Sequence, residues 1–320
     1  MMRERVRHEL VVRHLTVARR TELTPSMVRV TLVGDDLDGF SALGPSDHVK
    51  VFFPDPATGV VTAPSMGPDG VRRPTDGVVI SRDYTPRAFR PGEGGGAAEL
   101  DIDFVLHDAA PGELVPDAVV AGVSAPEAGP GSGSDTGPGS GSDTGSGSAS
   151  VRGASGGPAS AWAAQASVGD ALAVAGPRGS RLAPDACGSA ILLADETALP
   201  AFSRWLELLP ASTRITAILD AADESVEDYV TAEQRERASV EWLYRIDGPG
   251  QLEESLRSLG PIGEDTYVWA AGEATTLIPL RRYLRHELGL STDQLSVEGY
   301  WKRGITNLDH HAPIDPTDPD

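Results

Sequence analysis

Apolar and polar residues alternate with a period of two along much of the first hundred positions. Leu15 and Val17 alternate with polar neighbours, the run Glu22-Leu23-Thr24-Pro25 interrupts, and Val28, Val30 and Leu32 then share one face of 27–33. Val49, Val51 and Phe53 share a face of the next stretch, with His48, Lys50 and Phe52 opposite. Leu100, Ile102, Phe104 and Leu106 alternate with Asp101, Asp103, Val105 and His107. This is the signature of half-buried strands, and several such strands with turn residues between them predict an antiparallel barrel or sandwich. Val78-Val79-Ile80 reads as one more strand, leading into Ser81-Arg82-Asp83-Tyr84-Thr85-Pro86-Arg87, where Pro86 is expected to stop regular structure. The Pro- and Gly-rich stretch 55–76 reads as a loop.

The pattern then disappears. Residues 109–156 carry Ser-Gly-Ser-Asp-Thr-Gly twice, at 132–137 and 140–145, and hold no aromatic side chain. Such a segment cannot bury enough surface to offset its ordering entropy, so disorder is expected. Beyond it, 159–166 predicts a short helix and 171–175 a strand. From there strands alternate with helices. Strands are expected at 190–194, 214–219, 240–245 and 266–271. Helices are expected at 201–209, where Phe202, Trp205, Leu206 and Leu209 fall at helical spacing, at 252–259, and at 281–288 with Pro279 in the first turn. That alternation predicts a parallel, doubly wound sheet. The fold class is therefore α/β with two domains: an N-terminal antiparallel β-barrel over 1–184, interrupted by 109–156, and a parallel α/β sheet over 185–308. The acidic, proline-containing stretch 309–320 reads as a disordered tail.

Charge narrows the partners. Lys and Arg number 27 against 47 Asp and Glu, a net charge of −20, with a pI near 4.7. Nucleic acid and anionic membrane surfaces are poor partners for such a chain. Cys187 is the only cysteine, so no intrachain disulfide and no multi-cysteine metal site can form. The seven histidines show no metal-binding spacing, so no metal site is expected. No apolar run approaches the ~18–20 residues of a membrane span, and the N-terminus lacks the apolar region of a signal peptide. A cytoplasmic monomer is the simplest expectation.

Two places could carry chemistry. Arg82 offers a guanidinium that can pair bidentately with a pyrophosphate, Tyr84 a ring that can cover a flat heteroaromatic, and Thr85 a hydroxyl for the N5 edge of a flavin. The runs 195–200 (Asp-Glu-Thr-Ala-Leu-Pro) and 271–273 (Ala-Gly-Glu) fall at the carboxyl ends of predicted parallel strands, where open α/β sheets bind ligands. No G-x-G-x-x-G fingerprint is present, and neither Ser180 nor Ser203 has the context of a nucleophile elbow. Hydrolase and metalloenzyme classes therefore find no support.

Taken in order, these stretches resemble the siderophore-interacting protein family, FAD-dependent ferric-siderophore reductases of the ferredoxin–NADP reductase superfamily. The matching runs begin at 47–54 (Asp-His-Val-Lys-Val-Phe-Phe-Pro), 82–87 (Arg-Asp-Tyr-Thr-Pro-Arg) and 101–107 (Asp-Ile-Asp-Phe-Val-Leu-His). They continue at 157–163 (Gly-Pro-Ala-Ser-Ala-Trp-Ala), 176–180, 194–201, 269–273 and 299–304 (Gly-Tyr-Trp-Lys-Arg-Gly). The resemblance implies an FAD-binding barrel followed by an NAD(P)H-binding α/β domain. It assigns Arg82, Tyr84, Thr85 and His107 to FAD, together with Gly157, Ala159, Ser160 and Trp162. It assigns Asp195, Glu196, Thr197, Ala198, Ala271, Gly272 and Glu273 to the nicotinamide cofactor. It implies electron flow from NADH or NADPH through FAD to the Fe(III) of a siderophore, released as Fe(II), with ferredoxin as an alternative donor. Lys50, Lys302 and Arg303, with Arg87 behind them, are the basic candidates for an anionic chelate. The competing readings are an electron carrier with another acceptor and a non-catalytic siderophore-binding protein. In the family only a few residues separate the histidine strand from the Gly-Pro-Ala-Ser run, whereas here His107 and Gly157 stand fifty apart, so 109–156 reads as an insertion within the FAD domain. Ala194 stands where the family commonly has glycine.

Overall fold

The alternating residues of 12–33 fold into a long hairpin. Val12–Thr24 (β1) turns at Pro25 and Ser26 into Met27–Val33 (β2), so β1 runs on through Glu22, Leu23 and Thr24 and the expected break falls at Pro25. The structure is a computed structural model that describes residues 1, 3–68, 70–92, 94–106, 119–120, 157–247, 250–306, 308 and 313–318. The hairpin is joined by Val49–Phe53 (β3), Val78–Tyr84 (β4), Pro86–Arg90 (β5), Glu99–Val105 (β6) and Ala171–Ala175 (β7). These seven strands form one antiparallel sheet in the order β4-β3-β7-β1-β2-β6-β5. Of the segment 109–156 the structure describes only Val119–Val120, which pair with Val79 and Val78 beside β4. The expectation for the rest of that segment lies outside the described residues.

Pro86 does not end regular structure as expected. It is the first residue of β5, a position where its missing N–H costs no ladder bond. As a result β4 and β5, far apart in the order of the sheet, are joined through the single residue Thr85. The sheet therefore curls until its two sides meet. Leu15, Val17, Val28, Val30, Leu32, Val49, Val51, Phe53, Leu100, Ile102 and Phe104 share one buried cluster inside it, on the faces that the alternation predicts.

The second half is a five-stranded parallel sheet. Ser189–Asp195 (β8), Arg214–Ala221 (β9), Ser239–Tyr244 (β10), Thr266–Glu273 (β11) and Leu295–Trp301 (β12) lie in the order β10-β9-β8-β11-β12. Leu199–Leu208 packs Phe202 and Trp205 on one face of the sheet, while Leu252–Ser258 and Ala274–Arg282 bring Leu256, Leu277 and Leu280 to the other. The helix expected from residue 281 starts earlier. The Glu273 carboxylate accepts the Thr276 amide at 2.8 Å and caps it, so Pro279 lies inside the helix rather than in its first turn. The stretch 313–318, expected to be disordered, instead docks. Asp315 accepts from Arg282 Nε at 2.7 Å, and Asp318 accepts from Arg281 Nη1 at 2.7 Å. The two acidic residues meet the basic last turn of that helix, where positive charge is favoured by the exposed carbonyls.

Several bonds cross between the two sheets. Arg204 donates to the carbonyls of Ala42 (2.7 Å) and Gly44 (2.8 Å). The Tyr229 hydroxyl donates to Asp103 at 2.7 Å, and Arg87 pairs with Glu207 at 2.7 Å. Among the described residues no helix is long and apolar enough to cross a membrane.

Candidate active site

The first half of the site is built on β4. Its register sets Arg82 opposite Val51 and Tyr84 opposite Val49, with Lys50 and Asp83 as the pair between them. The Arg82 guanidinium donates to the Ser81 carbonyl at 2.8 Å. The Tyr84 ring lies 4.5 Å from that of Phe104 and 6.2 Å from that of Phe53, and Trp162 closes the same cluster at 5.5 Å from Phe53 and 5.8 Å from Phe104. Burial pushes the Tyr84 phenol well above its ordinary value, so it stays neutral.

Trp162 belongs to the helix Pro158–Gln165 (α1), which packs on β2, β3, β4 and β6. Pro158 suits the first helical position. Gly157 precedes it and has no side chain to cap the first turn, which carries no acidic residue. The backbone amides of that turn, at Ala159 and Ser160, are the type of donor that binds phosphate. A guanidinium, an uncapped helix start and partly buried aromatic rings on one side of the barrel fit a flavin dinucleotide. His107 lies outside the described residues.

The second half is built on the carboxyl ends of the parallel strands. Asp195, the last residue of β8, is 4% exposed and accepts four hydrogen bonds. Its Oδ1 takes the Thr197 amide at 2.9 Å and the Thr197 hydroxyl at 2.5 Å; its Oδ2 takes the Glu273 amide at 2.9 Å and the Trp301 indole at 2.7 Å. Burial, opposed by these bonds, raises its pKa. Gly272 makes this convergence possible. Its φ of +150° suits glycine, and a Cβ there would meet Asp195 Oδ2 at 2.6 Å. Glu196 accepts the Ala222 amide at 2.6 Å and an arginine N–H from Arg245. Glu273 caps its helix through one oxygen and accepts the Arg303 amide at 3.1 Å through the other. Ala198 and Ala271 are fully buried beneath this layer.

The structure thus brings together the residues expected to meet the nicotinamide cofactor. It also commits the Asp195, Glu196 and Glu273 carboxylates to protein donors, so their work is to hold the strand ends in place. Asp220, at the end of β9, was missed. Its carboxyl is pushed up to about 6, first by burial, with Glu196 and Asp195 adding to the rise and Arg245 opposing it.

At the site the two halves also meet through two residues given no role from sequence. Tyr300 and Trp301 end β12. The Tyr300 phenol lies near the side chains of Thr85 and Ser46 but is buried without a hydrogen bond to either, and burial and the nearby Glu298 carboxylate push it far above its ordinary value. Trp301 bonds to Asp195. The dipeptide therefore brings the Tyr300 phenol near Thr85 of the barrel and bonds Trp301 to Asp195 of the parallel sheet. The run Gly-Tyr-Trp was legible, but its partners, 106 residues away in the case of Trp301 and Asp195, were not. Of the basic candidates, Lys50 is in an ion pair with Asp83 at 2.8 Å, Lys302 is half-buried directly after Trp301, and Arg303 is exposed.

Comparison with known proteins matches both halves. A family model described as a siderophore-interacting FAD-binding domain covers residues 16–134, and one described as siderophore-interacting protein covers 188–304. The crystal structure of a siderophore utilization protein from T. fusca superposes with a TM-score of 0.72 at 35% identity, covering 97% of this chain and all of that one. The NADPH-dependent ferric-chelate reductase of Escherichia coli is 28% identical over 93% of this chain and 96% of its own. The ferric vibriobactin reductase ViuB of Vibrio cholerae is 29% identical over 93% of this chain and 92% of its own.

Proposed function

The chain belongs to the siderophore-interacting protein family, and from that premise we infer that it is an FAD-dependent reductase of ferric siderophores with NADH or NADPH as the reductant. Bound FAD would accept a hydride and give up electrons singly, which is the chemistry needed to turn Fe(III) into weakly held Fe(II). The observation that carries the reading is the dipeptide Tyr300-Trp301, whose phenol lies near Thr85 of the flavin half while its indole bonds to Asp195 of the nucleotide half. Arg82 and the first-turn amides of α1 would hold the pyrophosphate, and Tyr84, Thr85 and Trp162 would bound the flat ring. Thr197 and the backbone around Ala271 and Gly272 would line the nicotinamide side, held open by Asp195, Glu196 and Glu273. No general acid or base is required of the chain for electron transfer, so its task is alignment of the reacting partners.

Residues 1–184 as the flavin half, 185–308 as the nucleotide half, a monomeric state and a cytoplasmic location belong to the same proposal, with ferredoxin as an alternative donor. The net charge of −20 supports the exclusion of nucleic acid. Lys50, Lys302 and Arg303 are proposed to meet an anionic chelate. Lys302→Ala is expected to raise KM for such a chelate about tenfold, the loss of one charge contact, while leaving flavin content unchanged. Loss of flavin from that variant would assign Lys302 to the cofactor instead.

The test of the function is an anaerobic absorbance experiment. Purified protein should carry visible flavin bands that bleach with NADH or NADPH and return when a ferric siderophore is added. Bleaching without recovery on the chelate would point to an electron carrier with another acceptor. Protein that takes up no flavin yet binds the chelate would be a binding protein.

A further inference from the structure

On the basis of the reductase reading, we propose that the nucleotide site takes NADH in preference to NADPH, with Asp220 recognising the unphosphorylated adenosine ribose and Glu196 disarming Arg245, the arginine that among the described residues is placed to accept a 2′-phosphate. The premise is topological. Counted along this half of the chain, the sheet order β10-β9-β8-β11-β12 is 3-2-1-4-5. In such sheets the dinucleotide crosses the carboxyl ends beside the first strand, and the residue ending the second strand faces the ribose. A carboxylate there binds the two ribose hydroxyls, whereas a nearby arginine receives the 2′-phosphate.

Here Asp195 ends the first strand and Asp220 stands beside it in register on the second. Arg245 follows the third strand and is the arginine in question. Its guanidinium is already committed. One terminal nitrogen lies 3.3 Å from the Asp220 carbonyl and 3.4 Å from its carboxylate, and the other bonds to Glu196. Two carboxylates around one guanidinium leave a net negative charge. Asp223 follows on the next turn, its carboxylate accepting the Ser225 amide at 2.8 Å, and Glu224 is its neighbour. Arg214, on the same strand as Asp220, lies at its opposite end and donates to Ser189 Oγ at 3.0 Å. Six residue steps, from 214 to 220, at about 3.3 Å each, separate it from Asp220. A 2′-phosphate would bring a further charge of about −1.5 to −2 into this acidic corner.

The expected result at pH 7.5 is a kcat/KM for flavin reduction at least about tenfold higher with NADH than with NADPH, the discrimination typical of juxtaposed like charges. Fluorescence titration with NAD⁺ and NADP⁺ should give the same order of affinities without any turnover. Glu196→Gln keeps an oxygen for the Ala222 amide and loosens Arg245, so it should narrow the ratio mainly through a lower KM for NADPH. Asp220→Asn should narrow it by weakening NADH and admitting NADPH, and circular dichroism would confirm that both variants fold. Equal use of the two nucleotides, or preference for NADPH, would overturn the proposal and leave the reductase standing. A ratio unchanged in both variants would remove Asp220 and Glu196 from the selection. Flavin that neither nucleotide reduces would sink the proposal together with the pyridine-nucleotide half of the reductase reading.

Discussion

Protein carrying Arg82→Ala is expected to purify largely free of flavin, with an FAD dissociation constant raised about a hundredfold. Arg82 lies two residues before Tyr84 on β4, on the same face of the strand. A pyrophosphate bound there would lose charge-assisted bonds, which are worth about 1.5–3 kcal/mol each. Circular dichroism of the variant, compared with the parent, checks that the fold persists. Lysine at this position restores a point charge without the planar fork, so Arg82→Lys should recover only part of the affinity. Titration of apo-protein with FAD, followed by flavin fluorescence, measures all three proteins. An unchanged dissociation constant in the alanine variant would remove Arg82 from the phosphate site.

The second large effect is expected from Asp195→Ala, and it falls on stability before activity. The substitution strands the Thr197 and Glu273 amides and the Trp301 indole, which lose their acceptor in a buried place. A buried donor left without a partner costs about 1–3 kcal/mol, so the sum should be about 3 kcal/mol or more. Asp195→Asn should not restore it, because each carboxylate oxygen accepts two hydrogen bonds and an amide NH₂ would face donors with a donor. Urea denaturation followed by circular dichroism gives the stabilities. A variant as stable as the parent would mean that solvent replaces the carboxylate at the strand ends, and the four bonds to Asp195 would have no energetic weight.

Much of the fold is legible because its signals are local. Leu100, Ile102 and Phe104 declare a strand and its inner face, and all three are fully buried. The strand–helix alternation after residue 189 declares a parallel sheet. What escapes is set by distant partners. Asp101 and Asp103 occupy the polar side of their strand, yet both are buried, matched by Thr31 and Arg90 and by Arg29 and Tyr229. The strand 295–301 is hard to read because it carries Glu298 and Gly299, and of its residues only Leu295 is buried as a whole. Asp315 and Asp318 look like a solvated tail until Arg281 and Arg282 come within reach. The site divides in the same way. Arg82, Tyr84 and Thr85 are adjacent in sequence and could be proposed as a set. Asp195, Glu273 and Trp301 form a unit only after 78 and 106 residues of chain have folded between them.

Thr85 sits where the curled sheet closes on itself, the only residue between two strands from opposite sides. A single residue spans no more than about 3.3–3.6 Å, so the seam has almost no slack. Thr85 can shift only if β4 or β5 slides past its neighbours, and sliding a strand by one residue would turn its whole buried face outward. The joint thus works as a fixed pivot: whatever the loops around it do during turnover, the hydroxyl opposite Tyr300 keeps its address.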